Sequence, residues 1–372
     1  MKNPICQMFG IDVPVFAFSH CRDVVAAVSR AGGFGVFGGG VQPEQLELEL
    51  KWLDAHTDGK PYGIDFLMPS GVSNEFDNRD DLIPAAQRAH TEALLASKNV
   101  APLPGSELHD LQQMLLRKFA VTSAQHEKLI EIAFRHSIKL LAVGLGTPPA
   151  ELIERAHRQG IKVAALIGTP AQALRQRDAG VDFLIAQGTE AGGHTGSIST
   201  MVLTPQVVDL VKPLPVLAAG GIASGRQMAA AMCLGAAGVW CGSVWLTTAE
   251  SDVDPAIKQK IIAATSADAI ITRSMTGKPN RVVRSAWTNA WIAPGSPAAL
   301  DMPLQHLLAQ EVMRRAHRSK APELLSYPAG QVIGQLSNET SVRQVMMEML
   351  SEYADTVMHM ADQVPVETQS AG

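Results

Sequence analysis

Eight short apolar runs, each followed by a turn and then a helical stretch, constrain this chain more than any other feature. The runs fall at 13–18, 34–37, 62–66, 139–143, 162–167, 182–186, 215–218 and 238–241. They are near-continuously apolar, as strands covered on both faces are. The helical stretches run 22–31, 43–56, 124–136, 149–159, 170–179, 205–211, 224–234 and 254–264. Such alternation implies parallel pairing through right-handed crossovers, and eight units close a barrel. The expected fold is therefore α/β, a (β/α)8 TIM barrel. Glycine gathers just after the strands, at 38–40, at Gly144 and Gly146, across 188–196, at Gly220 and Gly221, and at Gly242. Those positions form the end of a barrel where ligands bind.

Two segments break the rhythm. Residues 69–123 are far longer than an ordinary strand-to-helix loop and contain helical patterns at 83–98 and 107–117. They read as a helical insertion, or lid, after strand three. Residues 266–372 add no ninth unit and read as a helical C-terminal extension over the barrel mouth, with helices near 304–317 and 342–361. The barrel itself is then expected to occupy 1–68 and 124–265.

The composition narrows the function. Hydrophobic residues make up 46% and charged residues 18%, with a formal net charge of −5. Basic residues are scattered, with no stripe or aromatic platform for nucleic acid. The four cysteines, Cys6, Cys21, Cys233 and Cys241, show neither metal-ligand nor disulfide-framework spacing. No apolar run is long enough to cross a bilayer, and the start lacks the apolar core of a signal peptide. The expectation is a cytoplasmic protein with reduced thiols, a small-molecule substrate, no nucleic-acid or membrane partner and no metal. Self-association into a homo-oligomer is left open.

The chemistry concentrates after strands six, seven and eight. The run from Gln187 to Gly196 sets four glycines, Gly188, Gly192, Gly193 and Gly196, around His194. Glycine permits a tight loop and close approach of a ligand to the backbone, and histidine exchanges protons near neutral pH. Gly220 and Gly221 follow strand seven; Gly242 and Ser243 follow strand eight. Loops in those two places commonly hold a phosphate, through exposed amides and a helix N-terminus. Ala17, Phe18 and Ser19 after strand one, Asp65 at strand three and Gln187 after strand six would ring the mouth around a flat ring system. That arrangement suits FMN, with His194 near the reactive edge as general base or acid.

Other candidates compete. Gly33, Gly35 and Gly38 spell G-x-G-x-x-G, but a helix precedes the motif and a strand lies inside it, against a dinucleotide fingerprint. His20 can face the site as a second proton donor or simply shape a turn. Lys278 and Arg281 can hold substrate phosphates or sit in a solvated loop. Glu190 can orient His194 or lie in solvent. A flavin-free isomerase or aldolase using the same phosphate site is the alternative, although no strand-end lysine or carboxylate pair serves it.

The runs 28–35, 187–196 and 218–223 together resemble the nitronate monooxygenase (2-nitropropane dioxygenase) family of FMN-dependent barrels, across roughly 13–249 outside the insertion. The resemblance implies His194 as catalytic histidine and Gln187, Gly193, Gly220, Gly221, Gly242 and Ser243 as flavin contacts. Its relatives include flavin enoyl and quinone reductases that use NAD(P)H. This chain departs from the family at Phe18 and Ser19, where Pro-Met is usual, and at Asp65, where Asn is frequent. The stretches 16–25, 146–149 and 276–281 are similar to a narrower group, the flavin enzymes of steroid ring degradation, which act on a bicyclic acyl-CoA. The implied activity is an FMN-dependent oxidoreductase. The implied substrate is an alkyl nitronate, oxidised with O2, or a bicyclic steroid-derived acyl-CoA, desaturated; a histidine takes a carbon-acid proton, and O2 or another acceptor finally receives the electrons from the flavin.

Overall fold

A computed structural model describes residues 3–68, 83–119 and 123–363. After α1 (Pro4–Phe9), the barrel strands are β1 (Val15–Ser19), β2 (Phe34–Gly38), β3 (Tyr62–Leu67), β4 (Leu140–Gly144), β5 (Lys162–Ile167), β6 (Phe183–Gln187), β7 (Val216–Ala219) and β8 (Gly238–Cys241). All neighbours pair in parallel, and β8 pairs back onto β1 through Phe16↔Trp240, closing the barrel. The TIM barrel expected from the alternation is the fold observed.

The helices between strands are α2 (Arg22–Arg30), α3 (Pro43–His56), then α4 (Ala85–Ser97), α5 (Gly105–Phe119) and α6 (Ser123–Phe134) after β3. They continue as α7 (Ala150–Arg158), α8 (Pro170–Ala179), α9 (Thr200–Val211) and α10 (Gly225–Cys233). Proline opens α1, α3 and α8, where its missing N–H costs nothing. The helix expected at 205–211 begins earlier, at Thr200, and keeps Pro205 inside it. Its start is held by Glu190, whose carboxylate accepts from Thr200 N at 2.9 Å, a cap ten residues upstream that no local pattern displays.

The tail is not purely helical. After α11 (Pro255–Ile262), β9 (Ala269–Thr272) and β10 (Asn280–Val283) form an antiparallel hairpin, where a polar loop was expected. Then come α12 (Ala286–Ile292), α13 (Leu304–Arg318) and α14 (Val342–Asp362). A second correction concerns the eighth barrel helix, expected at 254–264. Ile257 and Ile261 of α11 pack instead with Trp287, Trp291 and Val312 of the tail. The position outside β8 and β1 is filled by α14, whose Val342, Val345, Met346 and Met349 pack on Val24, Val28, Met228 and Val239. Leu95 and Val100 of the insertion share the tail's core, so the two added segments join in one apolar cluster.

Strand alternation sorts the side chains. Ile64, Phe66, Leu141 and Val143 face the helical shell. Phe16, Phe34, Leu140, Phe183, Leu217 and Trp240 face inward, and Phe9 of α1 plugs their lower end, 4.6 Å from Phe34 and 5.7 Å from Phe16 between ring centroids. A continuous row of neighbouring inward positions, Gly38, Asp65, Ala142 and Ala164, carries small side chains. The barrel is therefore filled by large apolar side chains below and lined by smaller ones above.

Candidate active site

The loop after β6 is braced from three directions. Glu190 accepts from both the amide and the hydroxyl of Thr200, so it neither orients His194 nor lies free in solvent. Gly193 and Arg281 exchange both main-chain hydrogen bonds, at 3.0 and 2.8 Å, welding the loop to β10. At φ 76° Gly193 occupies the left-handed region, where a side chain would be strained. Gly192 passes so close to the tail that an added Cβ would lie 2.8 Å from main-chain atoms of Ala329 and Gly330.

This bracing sets the chemistry of His194. Its Nδ1 lies 3.0 Å from the carbonyl oxygen of Pro279. A carbonyl only accepts, so Nδ1 carries the hydrogen and Nε2 keeps its lone pair. The result is a half-buried imidazole with one nitrogen committed and the other basic.

The loop after β7 packs against the β6 loop that carries His194. Gly220 and Gly221 take φ 96° and 71°. An added Cβ on Gly220 would lie 3.0 Å from Ala191 N and Gly188 O, and one on Gly221 3.2 Å from the Glu190 side chain. Among the described residues, no acceptor lies within hydrogen-bonding distance of the amides of Gly221, Ile222 or Ser243. Ser243 opens a 3-10 turn over 243–247, and its hydroxyl accepts from Gly330 N at 2.8 Å while its own hydrogen stays free to donate. The α10 N-terminus contributes less than expected. Ser224 caps Gln227 N at 3.3 Å, and Glu352 of α14 takes Gly225 N at 2.8 Å. The unpartnered donors left are those of the β7 and β8 loops.

The remaining expected residues divide. Phe18, Asp65 and Gln187 sit at inward positions of the mouth, and Phe18 stacks on Trp240 with centroids 6.2 Å apart. Ala17 does not: it is fully buried in the outer shell with Val24 and Val239. Ser19 shares that parity, and its hydroxyl accepts from Cys21 N at 3.0 Å as a turn residue. His20 lies over Gly38, where an added Cβ would meet its Nδ1 at 2.3 Å, so its ring faces the mouth. Lys278 is exposed at the hairpin tip, one residue from the carbonyl that anchors His194. Arg281 is 6% exposed; its Nε donates to Thr189 O at 2.9 Å and its Nη1 to Ala269 O, so it supports the loop rather than receiving a substrate anion. Trp240, Thr200 and the main chain at 329–331 were not expected at the site. Trp240 alone was within reach, by its alternation in strand eight.

Burial acts on two groups. Asp65, 8% exposed, is pushed up to about 7, and its Oδ1 has no hydrogen-bond partner. Burial pushes the Cys241 thiol up to about 12, leaving it unreactive. Among the described residues, no group of histidines, cysteines and carboxylates has the geometry of a metal site. None of their helices is long and apolar enough to cross a membrane.

The family model described as nitronate monooxygenase matches residues 4–352. A Mycobacterium tuberculosis protein, provisionally named a monooxygenase, is 47% identical over 372 residues, covering 96% of this chain and 98% of its own. A Staphylococcus aureus protein named a probable nitronate monooxygenase is 28% identical over 346 residues, 89% of this chain and 91% of its own. Among solved structures, FabK from Thermotoga maritima is similar at TM-score 0.75 and 26% identity, over 98% of this chain and 100% of its own. Nitroalkane oxidase from Streptomyces ansochromogenes superposes at TM-score 0.77 and 24% identity, over 96% and 99%, and shares the fold.

Proposed function

This chain belongs to the nitronate monooxygenase family, and from that premise we propose that it is an FMN-dependent oxidoreductase acting on a carbon acid. The residues present fit the cofactor. Unpartnered amides of Gly221, Ile222 and Ser243 suit its phosphate. The small inward positions Ala142 and Ala164 leave room for a planar ring. The orphaned Asp65 Oδ1 and the inward Gln187 supply polar contacts at its edge. When bound, the flavin supplies a two-electron acceptor.

The chain's own contribution is proton handling. His194 Nε2 takes a proton from the carbon next to an electron-withdrawing nitro or thioester group, while Pro279 stabilises the imidazolium through Nδ1. Loops 192–193 and 329–330, packed main chain to main chain, fix the segment that carries His194. The observation that carries the reading is this anchored histidine, carried on the β6 loop that packs against the β7 loop with its unpartnered amides. The exposed Lys278 beside the anchor favours a substrate that carries or gains an anionic charge: a CoA thioester, or the nitronate formed when a nitroalkane gives up its proton to His194.

The test is anaerobic mixing of the FMN-loaded protein with nitronates, acyl-CoAs or NADH, following loss of the flavin's visible absorption. Bleaching by one class names the substrate, and bleaching by NADH alone favours the reductase alternative. His194→Ala should retain flavin and lose about 10²–10⁴-fold in turnover. A protein that binds no FMN returns the site to a flavin-free isomerase.

A further inference from the structure

We propose that Asp65 holds the flavin as a neutral carboxylic acid, donating its O–H to an acceptor on the ring, so that cofactor retention is coupled to a proton on this one side chain. The proposal rests on the flavin reading above. Asp65 alternates with Ile64 and Phe66, which face the shell, and so points into the barrel. Its Oδ1 is buried without a partner. Its lateral neighbours at the same level are Gly38 and Ala142, neither of which can hydrogen-bond through a side chain.

The surrounding groups offer a carboxylate little. His20 faces it from the turn after β1, with its ring over Gly38 and Nδ1 3.4 Å from the Gly38 carbonyl. Cys21 turns away, its Sγ donating to Glu250 O at 3.1 Å. Tyr62 on the same strand turns outward to Asp54 at 2.7 Å. The β4 positions beside it bring no charge, and His194 stands after β6. No lysine or arginine occupies the neighbouring inward positions. An acid in such a place keeps its proton, and burial alone carries it to about 7.

Protonation decides what Asp65 can recognise. The neutral acid offers one donor and one acceptor; the carboxylate only accepts. A carboxylate could still accept the ring's imide N–H, and flavin would then bind more tightly as pH rises. The neutral acid predicts the opposite sign.

The experiment titrates the full chain, stripped of flavin, with FMN and with riboflavin from pH 6 to 9, reading quenching of flavin fluorescence. Riboflavin removes the phosphate, whose second ionisation falls near pH 6. The expected result is a Kd rising roughly 50-fold between pH 7 and 9 for both probes, and an Asp65→Asn variant that binds with no pH slope. A wild-type affinity that is flat or tightens with pH overturns the proposal. So does a slope that persists in Asp65→Asn, which belongs to His20 or His194. Should Asp65→Asn not fold, His20→Gln decides the point: it keeps the slope if Asp65 is the source, and losing it refutes the assignment. Failure of either probe to bind at any pH removes the flavin reading itself, a result distinct from binding without the expected slope.

Discussion

Replacing Gly225 by alanine sets helix propensity directly against packing. Gly225 is the first residue of α10, and alanine is favoured over glycine in a helix by up to about 1 kcal/mol. On the local rule, Gly225→Ala stabilises. The structure says otherwise, because α14 crosses so closely that an added Cβ would lie 2.2 Å from both Met349 O and Tyr353 N. Both are main-chain atoms inside a helix and cannot rotate away. Ordinary van der Waals contact begins near 3.4 Å, so the helices must part by about 1 Å. Parting them stretches the 2.8 Å bond from Gly225 N to Glu352 and loosens Val345, Met346 and Met349 against the barrel. Overpacking of this kind costs roughly 1–3 kcal/mol, and the lost bond adds about 1. The net expectation is destabilisation by about 2 kcal/mol, a fall in Tm of roughly 2–3 °C. Thermal unfolding followed by circular dichroism measures it, with limited proteolysis between α13 and α14 reporting release of the last helix. A variant melting at or above the parent would show that α14 is not seated on α10 as described.

Three further outcomes follow from the site. Asp65 binds its proton more tightly folded than unfolded, so stability should fall as pH rises from about 4 through 7 and level off above. Asp65→Asn should abolish that fall and stabilise the flavin-free protein at pH 8 by up to about 4 kcal/mol, read as a Tm difference that vanishes near pH 4. Arg281→Met leaves the Thr189 and Ala269 carbonyls unpaired and should cost about 2–4 kcal/mol, with turnover falling as the His194 loop loosens; an unchanged Tm contradicts the brace. Lys278→Ala should raise KM for an anionic substrate about tenfold with little change in kcat, and high salt should raise the parent's KM in the same direction.

The barrel was legible because its strands are apolar on both faces and glycine marks their C-terminal ends. That Gly220, Gly221, Gly242 and Ser243 sit just beyond strand ends, and His194 in the loop after β6, was legible for the same reason. What could not be read depended on partners distant in sequence. Arg281 looks like a solvated cation in a polar loop until the Thr189 and Ala269 carbonyls enclose it. Ala17 and Ser19 sit beside Phe18, but strand parity turns them to the other face. The six-residue α1 is too short for a periodic pattern, and its value as a plug lies in Phe9 meeting Phe34. Which helix flanks β8 is decided by packing, so the one next in sequence was a poor guide.

The hydrogen bond from His194 to Pro279 spans 85 residues of chain. Ownership of the proton at His194 is thereby divided: the barrel provides the imidazole, while the appended hairpin dictates which of its nitrogens carries the hydrogen. A hybrid carrying a foreign hairpin could preserve every barrel residue, colour included, and still lose command of its tautomer. Variation confined to this hairpin therefore offers a route to altered reactivity that leaves the proposed cofactor cradle untouched.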